Sequence, residues 1–282
     1  MTATPGTTPR TAEWTAIEAA ARRVRQRIVA MCARPSGGHL GGSMSLVEIL
    51  LVLYRDVMRI DPGRPDAPDR DVLLLSKGHG AIGLYAVLAE CGFLAESLVD
   101  AYGHTGSRLM AHPTPGIPGI EAPTGALGHG LPLGVGVALG MRLTGTDRRC
   151  FVVLGDGELQ EGSVWEAAMA AGSHRLDRLT AVVDRNGLQI TGATERVVGL
   201  EPLAAKWESF GWHVVAVDGH DVSALRAALR SSEPGRPTVV LAATVKAKGL
   251  PYAENQVQSH FARLGAAQYR RALSALDRPE PR

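Results

Sequence analysis

Short apolar runs and amphipathic stretches alternate along this chain. The apolar runs are rich in valine and leucine, and they predict strands at 72–75, 151–154, 180–183, 214–217 and 238–244. The amphipathic or alanine-rich stretches predict helices at 14–31, 45–57, 81–91, 131–142, 163–173, 203–210, 222–231 and 262–276. Strands that alternate with helices favour a mostly parallel sheet with helices on both faces, so the sequence predicts an α/β fold.

The length and composition are typical of one large domain. The chain has 282 residues, of which 45% are hydrophobic and 21% charged, and no linker or charge block divides it. Residues 1–12 are rich in Thr and Pro, and we interpret them as a flexible tail. Residues 13–282 are then expected to form a single α/β domain.

The charge, the hydropathy and the cysteines indicate which partners and which cellular compartment to expect. A net charge of +2 without a basic face argues against nucleic-acid binding. The most apolar stretches, 49–54 and 131–139, are too short or too broken by Gly and Pro to span a membrane. Cys32, Cys91 and Cys150 are scattered among apolar neighbours, which favours buried thiols over disulfides. These features predict a cytoplasmic protein with no membrane contact.

Polar turns after two successive predicted strands carry the most specific pattern. Gly155, Asp156 and Gly157 end the first strand, and Asn186 ends the next, about one βαβ unit or roughly 30 residues later. Carboxylate, amide and backbone oxygens are the ligands that Mg²⁺ prefers, and the glycines let N–H groups approach a phosphate. The pattern predicts a site for a metal-bound diphosphate. Two ordinary glycine turns around a strand pair are the alternative.

Two other phosphate-binding motifs are excluded at this turn. A dinucleotide-binding fingerprint needs a glycine three residues after its second glycine, where Gln160 stands. A P-loop needs Lys followed by Ser or Thr after its last glycine, but Gly162 is followed by Ser163.

Four histidines lie in glycine-rich or extended turns instead of on helix faces. They are His39, His79, His112 and His260. His79 directly follows a predicted strand, so we expect it at the same sheet edge as the diphosphate turns. Histidine donates to phosphate oxygens and transfers protons near neutral pH, which suits sugar-phosphate chemistry. Each histidine alone could equally be a surface or turn residue.

Together these features resemble the diphosphate-binding part of transketolases, and above all the first subunit of two-component transketolases. The matching segments are Ser36-Gly37-Gly38-His39, Ser76-Lys77-Gly78-His79-Gly80, residues 112–130, Gly155-Asp156-Gly157 with Glu161-Gly162, residues 184–192, Gly211-Trp212-His213, Asp218-Gly219-His220-Asp221 and His260. They cover almost everything from residue 14 to residue 266, in order. Residues 36–41 also resemble deoxyxylulose-phosphate synthase, although residues 76–79 favour transketolase.

The resemblance implies the thiamine-diphosphate-binding fold, with thiamine diphosphate and Mg²⁺ or Ca²⁺ as cofactors. The metal ligands that it implies are Asp156, Asn186 and the backbone oxygen of Leu188. The residues that it implies against the cofactor are His79, Gly125, Ala126, Leu127, Gly157, Glu158, Asn186, Ile190 and His260. In this set His79 and Gly157 would contact the diphosphate. Gly125 and Leu127 would contact the aminopyrimidine through their backbone, and Ile190 would pack on the thiazolium.

The resemblance also implies a reaction and a partner. His39, His112 and His260 would be catalytic and face the sugar, while a two-carbon ketol unit passes from a ketose phosphate donor to an aldose acceptor. The pyrimidine-binding and C-terminal domains of the family are not found in this sequence and are expected on a separate chain. Alternatives are a thiamine-diphosphate enzyme of a specialised biosynthetic pathway with a modified sugar, a deoxyxylulose-phosphate-synthase-like enzyme, and a non-catalytic remnant.

The expected assembly is a heterotetramer with two copies of each chain (α₂β₂), because the family places its cofactor between protomers. Glu161 would then lie at an interface between protomers. The 131–143 stretch is almost devoid of polar side chains, so we expect that helix to be buried, either by its own domain or by a partner.

Overall fold

A parallel sheet is the centre of the molecule. The computed structural model describes residues 12–278, so residues 1–11 of the predicted tail and residues 279–282 lie outside the described residues. The strands are β1 (Val72–Leu75), β2 (Cys150–Gly155), β3 (Leu179–Arg185), β4 (Leu188–Gln189), β5 (Gly192–Ala193), β6 (His213–Asp218) and β7 (Thr238–Ala243). Within the described residues, β1-β2-β3-β7-β6 form one sheet in which all neighbours run parallel. The short β4 and β5 pair as a separate antiparallel hairpin.

Helices cover both faces of the sheet. They are α1 (Ala12–Cys32), α2 (Leu40–Met44), α3 (Val47–Val52), α4 (Ala81–Glu90), α5 (Glu96–Asp100), α6 (Gly130–Leu143), α7 (Gly162–Ser173), α8 (Thr194–Val197), α9 (Leu203–Ser209), α10 (Val222–Arg230) and α11 (Ala266–Leu276). Side chains of β1 alternate between two cores, since Leu73 packs with α1, α3 and α4 while Leu74 packs with α6, α7 and α9. The predicted α/β fold with helices on both faces is therefore confirmed.

The register of the sheet brings polar turns together at one edge. Gly155 at the end of β2 pairs with Asp184 near the end of β3, and Arg185 pairs with Ala243 at the end of β7. Parallel strands share the direction in which they end, so the turns that follow them meet. The loops that follow these strands and carry predicted site residues therefore lie together at this edge of the sheet.

The structure differs from the predicted elements in segments where glycine or tight packing determines the local conformation. Residues 40–44, which precede the predicted 45–57 helix, form the buried helix α2, and that predicted helix is α3 followed by a π-helical turn at Leu53–Val57. The last helix begins at Ala266 and not at 262, because Ala262 is extended and pairs with Gly38. The helix α5 and the β4–β5 hairpin were not predicted.

The helix α6 is buried on one face only. Leu131 and Val135 are buried against the sheet, whereas Leu133 and Leu143 are 47% and 86% exposed. Its own domain therefore buries only one face of this helix, and an apolar face remains open. Within residues 12–278, no helix is long and apolar enough to cross a membrane. All three cysteines lie in this part of the chain and are free thiols.

Candidate active site

The structure brings the four singled-out histidines into one cluster. The ring centroid of His39 lies 5.5 Å from that of His79, 5.7 Å from that of His112 and 5.5 Å from that of His260. The rings of His79 and His260 are 5.2 Å apart. The sequence could not predict these distances, because the four residues come from four separate loops. The other five histidines lie outside this cluster.

Backbone contacts hold these loops against one another. Gly38 and Ala262 exchange two hydrogen bonds of 2.9 Å, which fixes the His39 loop beside the His260 loop. The Tyr85 hydroxyl of α4 donates to the carbonyl oxygen of His112 at 2.9 Å. Because these contacts involve the backbone, the rings are held in place by the fold and not only by their own rotamers.

The histidines of the cluster whose pKa is shifted are neutral at physiological pH. Burial lowers the pKa of His79 to about 2, and the charge of Lys77 lowers it further in the same direction. Burial likewise lowers the pKa of His39 and of His260 to about 4 each, with His112 and Lys246 respectively as the next contributors. A neutral imidazole has one donor and one acceptor nitrogen, so each ring can donate to one ligand oxygen and accept a proton from another.

Two buried lysines border the cluster, and neither was assigned a role from the sequence. Lys77 Nζ lies 2.5 Å from Asp184 Oδ2, and both side chains are almost fully buried. Lys246 Nζ donates to the carbonyl oxygen of Leu188 at 3.1 Å and contacts His260 Nδ1 at 3.2 Å. The signal that could have found them is position, because both lysines shortly follow a buried strand at the ligand-binding edge.

The two predicted metal turns are in direct contact. Asp156 Oδ1 accepts from the Gly157 N–H at 2.8 Å, and Asp156 Oδ2 accepts from the Gly187 N–H at 2.5 Å. The Asn186 amide oxygen accepts from the Leu188 N–H at 3.2 Å. Lys246 contacts both the Leu188 carbonyl and His260, so the metal turns and the histidine cluster form one continuous site.

The oxygen atoms of these turns fit a divalent cation. Burial raises the pKa of Asp156, and the nearby Asp184 raises it further. A buried carboxylate of this kind is stabilised by a cation, and Arg185 approaches it only to 3.4 Å. Carboxylate, amide and carbonyl oxygens on adjoining turns are the hard donors that Mg²⁺ and Ca²⁺ bind.

The side chain of Glu158 is already occupied. Its carboxylate accepts from the hydroxyl of Ser76, from the Gly128 N–H at 2.9 Å and from the Gly155 N–H at 3.0 Å. This buried carboxylate joins the turns that follow β1 and β2 to the loop before α6. Any contact of Glu158 with a cofactor would therefore have to come from its backbone.

The residues predicted to meet the rest of the cofactor face outward. Gly125 and Ala126 are exposed, and a Cβ added at Gly125 would lie 3.4 Å from the His112 ring. Ile190, in the turn of the β4–β5 hairpin, is 65% exposed. Glu161, predicted for an interface, is also exposed. The site is thus half-buried around the histidines and open along one side.

One further residue at the mouth of the site was missed. The ring of Phe261 stands edge-on to His39 with the centroids 5.2 Å apart, and it is half exposed. It follows His260 directly, so the Gly38–Ala262 pairing that positions His260 also fixes Phe261. The aromatic ring of Phe261 therefore borders the histidines on the solvent side.

The fold and the site define a class of thiamine-diphosphate-dependent transferases. Residues 17–277 match the family described as "Transketolase, thiamine diphosphate binding domain". The chain belongs to this family, and it is a subunit of the transketolase type. The prediction made from the sequence motifs is confirmed at this level.

Relatives of similar length share this family. The chain is 39% identical to an apulose-4-phosphate transketolase subunit of Phocaeicola vulgatus, over 91% of this chain and 92% of the relative. It is 42% identical to a 6-deoxy-6-sulfo-D-fructose transketolase subunit of Clostridium sp. (strain MSTE9), over 86% and 89% of the two chains. The solved transketolase from Leishmania mexicana superposes with a TM-score of 0.87 at 29% identity, over 93% of this chain and 41% of that chain.

Proposed function

We propose that this chain is the diphosphate-binding subunit of a two-subunit transketolase, which transfers a two-carbon ketol unit from a ketose donor to an aldose acceptor. The observation that carries this proposal is the half-open site, in which a half-buried histidine cluster adjoins the exposed Gly125, Ala126 and Ile190. These exposed residues are suited to a cofactor that a second chain covers. Relatives of this length that are themselves named as single subunits of a transketolase support a partner of this kind.

The residues of this chain would hold the cofactor by its charged end. Asp156, Asn186 and the carbonyl oxygen of Leu188 would ligate Mg²⁺ or Ca²⁺, and His79 and Gly157 would donate to the diphosphate. When bound, thiamine diphosphate supplies the nucleophilic carbon and the electron sink for breaking and forming a carbon–carbon bond. The lysines beside this region add positive charge that favours a diphosphate.

The histidines would bind the sugar and transfer the protons of its hydroxyl groups. His39, His112 and His260 would bind its hydroxyl groups, and a neutral ring can accept a hydroxyl proton while its other nitrogen donates. His39 supports this role, because its Nδ1 is buried and has no hydrogen-bond partner within the described residues. A substrate hydroxyl would supply the missing partner.

A sugar from a dedicated pathway is the second candidate for the donor. Relatives are named for apulose 4-phosphate and for 6-deoxy-6-sulfo-D-fructose, which differ from each other in the chain beyond the ketol unit. Phe261 lies beside His39 at the mouth of the site and would contact the donor. The loops 102–119 and 246–259 would set this choice.

The assembly that we propose is an α₂β₂ heterotetramer. The open face of α6 supports it, because Leu133 lies on the same side of the helix as Gly136 and Gly140, where a neighbouring helix could approach closely. Met169 of α7, the helix that packs against α6, is also exposed, at 57%. Such a surface is typical of an interface between protein chains.

The test is reconstitution with the product of a neighbouring gene that carries a pyrimidine-binding domain. We expect ketol transfer from a ketose phosphate only when both chains, Mg²⁺ and thiamine diphosphate are present. Asp156→Ala should abolish most metal-dependent cofactor binding in calorimetry, while Asp66→Ala, at an exposed carboxylate of the 61–71 loop, serves as the matched control. A chain that stays monomeric in light scattering and turns over ketose unaided would refute the need for a partner.

A further inference from the structure

A buried carboxylate behind the site binds two polar side chains from different elements. Glu48 of α3 is 7% exposed, and it accepts from Arg25 of α1 at 2.7 and 2.8 Å. His220, in the turn before α10, places its Nδ1 2.9 Å from Glu48 Oε2. Burial alone would raise the pKa of Glu48, but the charge of Arg25 and the bonds from His220 and Arg25 bring it to about 2. The carboxylate is therefore ionised and fully engaged.

The two partners of Glu48 each hold one peptide group of the same short segment. His220 Nε2 accepts from the Val245 N–H at 2.9 Å, and Arg25 Nε donates to the Lys248 carbonyl oxygen at 3.0 Å. Since Nε2 accepts from a backbone N–H, the ring proton is on Nδ1 and is donated to Glu48. The Glu48 carboxylate thus fixes both the tautomer of His220 and the orientation of the Arg25 guanidinium group.

The segment held in this way has a conformation that needs support. Ala247 has a φ of 61°, in the left-handed region that side chains other than glycine rarely adopt, and it is fully buried. Its N–H donates to the Gly41 carbonyl oxygen at 3.0 Å. A Cβ added at Gly41 would lie 2.9 Å from Cγ of Lys246, so the aliphatic part of the Lys246 side chain is closely packed as well.

Lys246 is the residue at the centre of this segment that reaches the site. It is 2% exposed, and its Nζ donates to the Leu188 carbonyl oxygen and contacts His260 Nδ1. A displacement of the backbone around Lys246 would move the ammonium group away from both partners. The network around Glu48 does not itself contact the histidine cluster in any hydrogen bond of the described residues, so its influence on the site passes through this segment.

We propose that His220 and Arg25, both oriented by Glu48, form a clamp on residues 245–248 that positions Lys246 against the Leu188 carbonyl and His260. The inference rests on the proposed function, because Lys246 matters only if this site binds the diphosphate cofactor and the sugar. It gives the Asp218-Gly219-His220-Asp221 motif a chemical role that the sequence alone did not indicate.

Two substitutions of one residue separate the two hydrogen bonds of His220. His220→Gln can keep an acceptor at the position of Nε2, and His220→Asn can keep a donor at the position of Nδ1 while leaving the Val245 N–H unpaired. We expect backbone amides of 245–248 to exchange about tenfold faster in His220→Asn than in His220→Gln, as for one lost buried hydrogen bond. Hydrogen exchange with mass spectrometry on the full chain measures this without substrate, and His174→Asn at an exposed helix end is the control. Equal exchange in both His220 variants would overturn the clamp.

A double-mutant cycle tests whether the clamp acts through Lys246. In the reconstituted complex, His220→Asn should weaken Mg²⁺–thiamine diphosphate binding or lower kcat/KM about tenfold, with rescue by His220→Gln. In the Lys246→Met background the same substitution should have no further effect. An undiminished loss in that background would refute positioning through Lys246, since a general loss of stability would act in either background. If the wild-type complex showed no ketol transfer, the proposed function would fail, whereas the exchange comparison would still decide whether the clamp exists.

Discussion

Replacing Lys77 by methionine tests the most deeply buried charge pair of the site. Lys77 Nζ lies 2.5 Å from Asp184 Oδ2 and also donates to the Gly42 carbonyl oxygen at 3.1 Å. Asp184 in turn accepts from the hydroxyls of Ser45 and Thr244. Removing one partner of a buried ion pair leaves the other charge uncompensated, at a cost of about 3–5 kcal/mol. We expect Lys77→Met to lower the free energy of unfolding by this amount, a large part of the roughly 5–15 kcal/mol typical of a domain.

The assay is urea unfolding of the full chain and of three variants in a cycle. Lys77→Met and Asp184→Asn each break the pair, and the double variant removes both charges. The double variant should lose less stability than the sum of the two single variants by at least about 1 kcal/mol, because neither charge remains to be compensated. Additive losses, or a Lys77→Met loss below about 1 kcal/mol, would show that the pair does not act as the structure indicates.

Three further predictions concern other positions in the chain. Gly172→Ala should strongly destabilise the chain, since its Cβ would lie 1.8 Å from the Phe210 carbonyl oxygen. Gly140→Ala, whose Cβ would meet no described atom beyond its own stretch of helix within 4 Å, should stabilise it by about 0.5–1 kcal/mol in thermal unfolding. Gly78→Ala should shift the loop at Thr124, whose backbone its Cβ would approach to 2.7 Å, and so weaken cofactor binding in the complex more than it lowers the melting temperature. His79 binds a proton below its ordinary pKa of 6.5 when unfolded but only near pH 2 when folded, so stability falls as pH drops below 6.5, and His79→Gln should make the fall in Tm between pH 7 and pH 5 less steep. Equal Tm values for the two helical glycine variants, unaltered cofactor affinity, or unchanged slopes would contradict these three expectations in turn.

The strands and the histidine loops were predictable because their signals are local. Val72–Leu75 is a continuous run of buried β-formers, and His79 follows it in a glycine turn, so both the element and the edge could be inferred. The turns at Asp156 and Asn186 follow by the same argument. No local pattern predicts the strand register. This register pairs Gly155 with Asp184 and so brings these turns into contact.

The rest could not be predicted because it depends on contacts between distant segments. Glu48 occupies one polar position in an apolar helix, and only the fold shows that it meets Arg25 and His220. Lys246 lies in a long polar loop with no periodicity, and the sequence alone does not tell whether Lys246 or Lys248 reaches the site. Both faces of α6 are mainly apolar, so composition alone could not separate the open face from the buried one.

The charges of the site explain why it is suited to an anionic ligand. Lys77 is compensated by Asp184, but Lys246 is buried and donates to the Leu188 carbonyl and to the neutral His260. Burial and the charge of Lys77 lower the pKa of Lys246 to about 8, although Asp156 and Asp184 lie near enough to oppose the shift. A buried ammonium whose partners are neutral is costly, and an anion bound beside it removes that cost. The protein therefore holds Lys246 in a state that a bound diphosphate would stabilise.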